Sequence, residues 1–150
     1  MVSSMIEGVS LVFLREIVDA RGSVLHVLRS DAADFTRFGE CYLSEIVPGA
    51  VKAWKKHTLQ TQNIAVPVGR IRIVLYDNRE TSGSKGKLEV FEIGRPDAYM
   101  RIRISPGIWY GFTCISPQTA MLINCADIPH SPAESEVIPI DDPSIPYKWK

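Results

Sequence analysis

Four polar side chains carry the chemistry this sequence offers: Lys55, His57, Gln62 and, much further along, Tyr110. Strand alternation places positions 55, 57 and 62 on one face. An amine, an imidazole and a phenol move protons, and a primary amide donates hydrogen bonds. A lysine serves as a base near neutral pH only where burial or a neighbouring cation, here Lys52 or Lys56, lowers its pKa. The same four residues argue against a divalent metal. Lysine repels the ion, the amide is a poor substitute for a carboxylate, and one imidazole does not make a site. Each residue also has an ordinary structural use. Lys55 and Lys56 suit a solvated strand end, His57 a satisfied interior histidine, and Tyr110 core packing with a wet hydroxyl. Convergence on one face favours a site, because unpaired polar groups are costly inside a barrel.

Such side chains need a rigid frame, and the rest of the chain reads as one. Its 150 residues fit a single domain, 1–150, able to bury one core. The 17 basic and 17 acidic residues cancel without a basic run, so no electrostatic footprint for nucleic acid is present. No apolar stretch is long enough to span a bilayer, and the start lacks signal-peptide architecture. Three cysteines, Cys41, Cys114 and Cys125, are odd in number and not metal-spaced. Reduced, half-buried thiols in a cytoplasmic protein are expected.

The apolar pattern has period two almost throughout. It predicts strands over Gly8–Arg15 and Val24–Leu28, after the turn Asp19-Ala20-Arg21-Gly22. Further strands are expected at 40–47, 50–57, 62–68, 70–77, 88–93, 100–104, 110–115 and 119–125. Ser30–Phe38 reads as short helix or irregular chain. Many short strands, punctuated by Pro48-Gly49, Gly69, the 82–86 loop and Ser105-Pro106-Gly107, predict an all-β barrel or jelly roll. From Ile128 onward lie five of the ten prolines (129, 132, 139, 143 and 146), predicting an extended tail laid over the barrel.

Two spaced signatures resemble those of the cupin barrel. Gly49 is followed by five residues, Lys55-Lys56-His57, four residues, Gln62, six residues and Gly69. Ser105-Pro106-Gly107-Ile108-Trp109-Tyr110 occupies the place of the second, Pro-x-Gly-x-x-His. An ordered set of segments then resembles the dTDP-4-dehydrorhamnose 3,5-epimerase family over almost the whole chain. The set comprises Asp19-Ala20-Arg21-Gly22, Phe38-Gly39-Glu40-Cys41-Tyr42-Leu43-Ser44, Gly49-Ala50-Val51-Lys52-Ala53-Trp54, Ile73-Val74-Leu75-Tyr76-Asp77-Asn78-Arg79, Pro106 to Phe112, and Asp141-Asp142-Pro143 through Trp149.

The resemblance implies a metal-free, cofactor-free cupin, usually a homodimer with exchanged N-terminal strands, acting on a nucleotide-linked 4-keto sugar. The α-proton of a ketone is weakly acidic, so the chemistry needs a base, an enolate stabiliser and an acid. Carried over, the family's base histidine falls on Lys55, its enolate lysine on Gln62, a further site histidine on Tyr110, and its acid tyrosine on or near His130. Asp142 and Arg21 remain, and Lys52 is a conservative swap. The implied catalytic set is Lys55 or His57 as base, Tyr110 and His130 as donors, and Asp142 orienting the base. Arg21 and Lys52 would hold a diphosphate, and Gln62 the enolate oxygen. Two functions are expected: a keto-sugar epimerase with an exchanged catalytic set, or a non-catalytic sugar- or nucleotide-binding cupin.

Overall fold

Two five-stranded antiparallel sheets face each other in the computed structural model, which describes residues 2–150. The strands are β1 (Val9–Phe13), β2 (Glu16–Asp19), β3 (Gly22–Leu25), β4 (Glu40–Ile46), β5 (Val51–His57), β6 (Gln62–Val68), β7 (Arg70–Asp77), β8 (Leu88–Gly94), β9 (Met100–Ile104), β10 (Ile108–Cys114), β11 (Ala120–Ala126) and β12 (Ser135–Val137). One sheet runs β1-β9-β6-β11-β4 and the other β12-β5-β10-β7-β8, with β2 and β3 forming a separate hairpin. This is the jelly-roll arrangement of a cupin.

The side-chain alternation decides which face each strand buries. Ile71, Ile73 and Leu75 of β7 meet Ile64 and Val66 of β6 and Ile102 and Ile104 of β9 in the core between the sheets. The other face of the second sheet is not left wet. Trp54, Val74 and Trp109 bury a second cluster there against Ile145, with Tyr147 and Trp149 packed alongside. Trp54 Nε1 donates to the Ile140 carbonyl at 3.2 Å. Trp149 lies 5.2 Å from Trp54 and 4.9 Å from Tyr147 between ring centroids, spacings at which aromatic pairs attract. Covered on both faces, β10 is buried at every residue.

The long strands lie within two residues of their expected bounds. Two short ones do not follow from the pattern. The expected strand 24–28 overlaps the second arm of the β2–β3 hairpin, whose first arm, Glu16–Asp19, lies beyond the strand expected over Gly8–Arg15 and within no other expected strand. β12 has three residues and pairs with β5 in register Val137↔Lys55 and Ser135↔His57. Residues 30–38 form turns and irregular chain, with no helix.

One irregularity positions the site. Tyr110 opposes Lys55 and Phe112 opposes Lys52, so β5 carries one residue more than β10 across this interval. Ala53 and Trp54 together face Gly111, which is a β-bulge. The extra residue reverses the phase of β5, and Lys52 joins Lys55 on the face shared with Tyr110. Simple alternation sends them to opposite faces.

Candidate active site

A cavity of about 280 Å³ opens between the sheets on the side where β4, β5, β10 and β11 converge. Its polar lining is Tyr42 and Ser44 from β4, Lys52 and Lys55 from β5, Tyr110 from β10 and Asn124 from β11. Ile64, Phe112, Leu122 and Val137 supply apolar walls. The charged side chains of the lining are the two lysines. Lys52 spans from one sheet to the other, its Nζ donating to Ser44 Oγ at 3.1 Å and to the Glu45 carbonyl at 2.6 Å.

Behind Tyr110 lies a buried chain of proton carriers. The Tyr110 hydroxyl is 3.2 Å from His57 Nε2. His57 Nδ1 pairs with Glu134 Oε1, and both side chains are almost wholly buried. The other oxygen, Glu134 Oε2, accepts the backbone N–H groups of Leu59 and Gln60 at 3.2 and 3.1 Å. The Glu134 carbonyl takes the Thr58 N–H and hydroxyl, each at 2.7 Å. A 3-10 turn at Pro132–Glu134, just before β12, is thereby latched to the connection between β5 and β6.

These environments set the protonation states. Burial lowers the His57 pKa below the ordinary imidazole value; the Glu134 hydrogen bond and charge oppose this, while Lys55 and His130 add to it. Burial works against the Glu134 charge, but the hydrogen bonds from His57, Gln60 and Leu59 outweigh it and hold the carboxyl below its usual range. Burial, then the charges of Tyr42 and Glu134, push Tyr110 far above a normal phenol. Phenolate is therefore not a standing species at neutral pH.

Of the eight residues expected from sequence, the structure brings Lys52, Lys55 and Tyr110 to the cavity. His57 does not line it and reaches it through Tyr110. Gln62 is buried beneath the wall, bonded to Gln60 at 2.9 Å and to Asn124, which in turn reaches the Tyr42 hydroxyl at 3.0 Å. An amide chain thus supports Tyr42, and Gln62 itself does not line the cavity. His130 is exposed, and its charge bears on His57 without a hydrogen bond to it. Asp142 does not orient the imidazole. Its Oδ1 accepts the Ser144 N–H and hydroxyl at 2.9 and 2.6 Å within the tail. Arg21 sits at the exposed tip of the β2–β3 hairpin, paired with Asp19 at 2.7 Å. The carboxylate that does hold His57, Glu134, is absent from the expected set, since 77 positions separate the two. Among the described residues no three His, Cys, Asp or Glu side chains gather as a metal site would require.

Residues 3–150 match the profile of a family described as dTDP-4-dehydrorhamnose 3,5-epimerase. The chain is 36% identical over 135 residues to a probable low-salt glycan biosynthesis epimerase, Agl13, of Haloferax volcanii, covering 87% of this chain and 86% of that one. It is 31% identical over 147 residues to the spore coat polysaccharide biosynthesis protein SpsL of Bacillus subtilis, covering 97% of each. A crystal structure described as a dTDP sugar isomerase, from Desulfovibrio desulfuricans, superposes with a TM-score of 0.97 at 49% identity over 99% of this chain and 95% of that one. With a profile match along nearly its whole length and relatives of this identity, the chain belongs to the dTDP-4-dehydrorhamnose 3,5-epimerase family.

Proposed function

We propose that the protein is an isomerase that exchanges a proton next to the ketone of a nucleotide-linked sugar, in the biosynthesis of a carbohydrate. The observation that carries this reading is the Tyr110 hydroxyl at the cavity wall, backed by His57 and Glu134 and in register with Lys55. A proton carrier and a cation on one wall are what enolisation of a ketone requires. The relatives' descriptions as epimerase and sugar isomerase agree with it.

A cavity of about 280 Å³ lies at the small end of ligand pockets. It suits the sugar ring, leaving the nucleotide to the rim, where Lys52 supplies positive charge for a diphosphate. Arg21 joins that rim only from a second chain, because in its own chain it stands at the hairpin tip. We therefore assign a homodimer, in keeping with the apolar Ile17, Val18 and Val24 left exposed on β2 and β3. Free cysteines, Cys41 exposed and Cys114 buried, accord with a cytoplasmic setting.

The test is deuterium uptake from heavy water into the sugar ring of dTDP-4-dehydrorhamnose, read by NMR or mass spectrometry. Wild-type protein should incorporate deuterium next to the ketone, and Lys55→Met should slow this by about 10²-fold, the scale for losing a positioned catalytic group. A thermal shift on binding with no uptake over hours would sink the catalytic reading and leave a non-catalytic nucleotide-sugar binder.

A further inference from the structure

The geometry points to Tyr110 as the atom that removes the substrate proton, with His57 receiving the proton from Tyr110 and Glu134 fixing the direction of transfer. This rests on the keto-sugar reading above and reverses the donor role that the sequence suggests for Tyr110.

The direction follows from counting donors and acceptors. The Glu134 carboxyl is ionised and so only accepts hydrogen bonds. Its Oε2 is taken by the N–H groups of Leu59 and Gln60, and Oε1 faces His57 Nδ1. Nδ1 must carry the hydrogen. Buried and kept neutral, the ring then has a bare Nε2, and among the described residues its hydrogen-bond partner is the Tyr110 hydroxyl at 3.2 Å. Tyr110 therefore donates its proton inward. Its oxygen lone pairs remain for the cavity.

An atom so arranged accepts a proton from the cavity as it passes its own to His57. In the proposed step the substrate C–H bond breaks and its electron pair becomes the enolate. The proton goes to Tyr110 Oη, the original hydroxyl proton goes to Nε2, and the imidazolium is held against Glu134. No electrons are lost or gained. Lys55, paired across from Tyr110 on β5, is left to stabilise the enolate oxygen. The groups that bear on His57 are Glu134 from the 3-10 turn, Tyr110 from β10, Lys55 from its own strand and His130 from the chain before the turn. The relay works while His57 is neutral, so exchange should be flat near neutrality and fall on the acid side, below the ordinary imidazole value of about 6.5.

Glu134→Gln is the informative variant. An amide has one acceptor oxygen, and two backbone N–H groups claim it, which turns the NH2 toward Nδ1. The imidazole must then carry its hydrogen on Nε2 and can no longer take the Tyr110 proton. Long-range proton–nitrogen NMR of the free protein should show Nδ1 protonated in wild type and Nε2 protonated in Glu134→Gln. Deuterium uptake into dTDP-4-dehydrorhamnose should fall about 10²-fold in Tyr110→Phe and in Glu134→Gln, with the melting temperature of Tyr110→Phe close to wild type because its ring keeps its place. An Nε2-protonated wild type, or a Tyr110→Phe variant exchanging within about twofold of wild type, overturns the relay. A wild type with no exchange overturns the keto-sugar reading instead, and the NMR arm still decides the direction of the relay.

Discussion

The Asp77 carboxylate, fully buried where β7 ends, accepts from Arg79 Nε at 2.8 Å and from the hydroxyls of Ser82 and Ser84 at 2.6 and 2.5 Å. Burial opposes its charge, but these hydrogen bonds win and hold the carboxyl well below the usual range. A depressed folded pKa adds stability above the unfolded value of about 4, and that stability is lost as pH falls through the folded one. Asp77→Asn should cost about 2–4 kcal/mol at pH 7, since it strips a charge from a buried network, and should flatten the loss of stability on acidification. Thermal melts of both proteins between pH 7 and pH 3 check this; parallel curves would sink it. The Asp77-Asn78-Arg79 motif was thus legible in sequence as a feature, but its role is to brace a loop. The reverse holds for Glu134. Nothing local marks it, because its partners lie on the far side of the chain and its own element is three residues long. His57 was legible as a site residue through its spacing from Lys55. Its place behind Tyr110 depends on which rings fill the core, and a pattern of period two carries no such information.

At the scale of elements, the alternation of apolar residues was enough to place the nine long strands, because a buried face imposes it. It was blind to the bulge in β5, where Lys52 and Lys55 come to share a face. Gly111 permits that bulge. A Cβ built there lies 2.5 Å from Ala53 Cβ and 3.1 Å from the Trp149 ring, closer than packed carbons tolerate. Gly111→Ala should therefore cost about 1–3 kcal/mol as an overpacked site and should weaken nucleotide-sugar binding by moving Lys52. Chemical denaturation with a binding titration tests both. Wild-type stability with unchanged affinity would mean that the strand accommodates the methyl group elsewhere. β12 escaped notice because a three-residue strand has no period to detect.

For the whole molecule, the β2–β3 hairpin is the part that its own chain fails to use. Val18 and Val24 are 66% and 59% exposed, on a two-stranded ribbon whose strands pair only with each other among the described residues. Isolated hairpins are marginal in water, so a second chain should complete this one. Light scattering at micromolar concentration is expected to give twice the mass of one chain, and Ile17→Asp with Val18→Asp should shift it toward one. A wild type of single-chain mass would leave the hairpin unexplained. The C-terminal segment has a different consequence, which concerns time. Translation delivers β5 and His57 early, whereas Glu134, the strand β12 beside them and the aromatic cover of Tyr147 and Trp149 leave the ribosome only after β1 to β11. A nascent chain lacking those residues has the other strands of both sheets, with an imidazole whose Nδ1 has no carboxylate to fix its tautomer. On the proposed mechanism catalytic competence then comes after the strands β1 to β11, so a chain interrupted between β11 and Glu134 should show no deuterium uptake into dTDP-4-dehydrorhamnose.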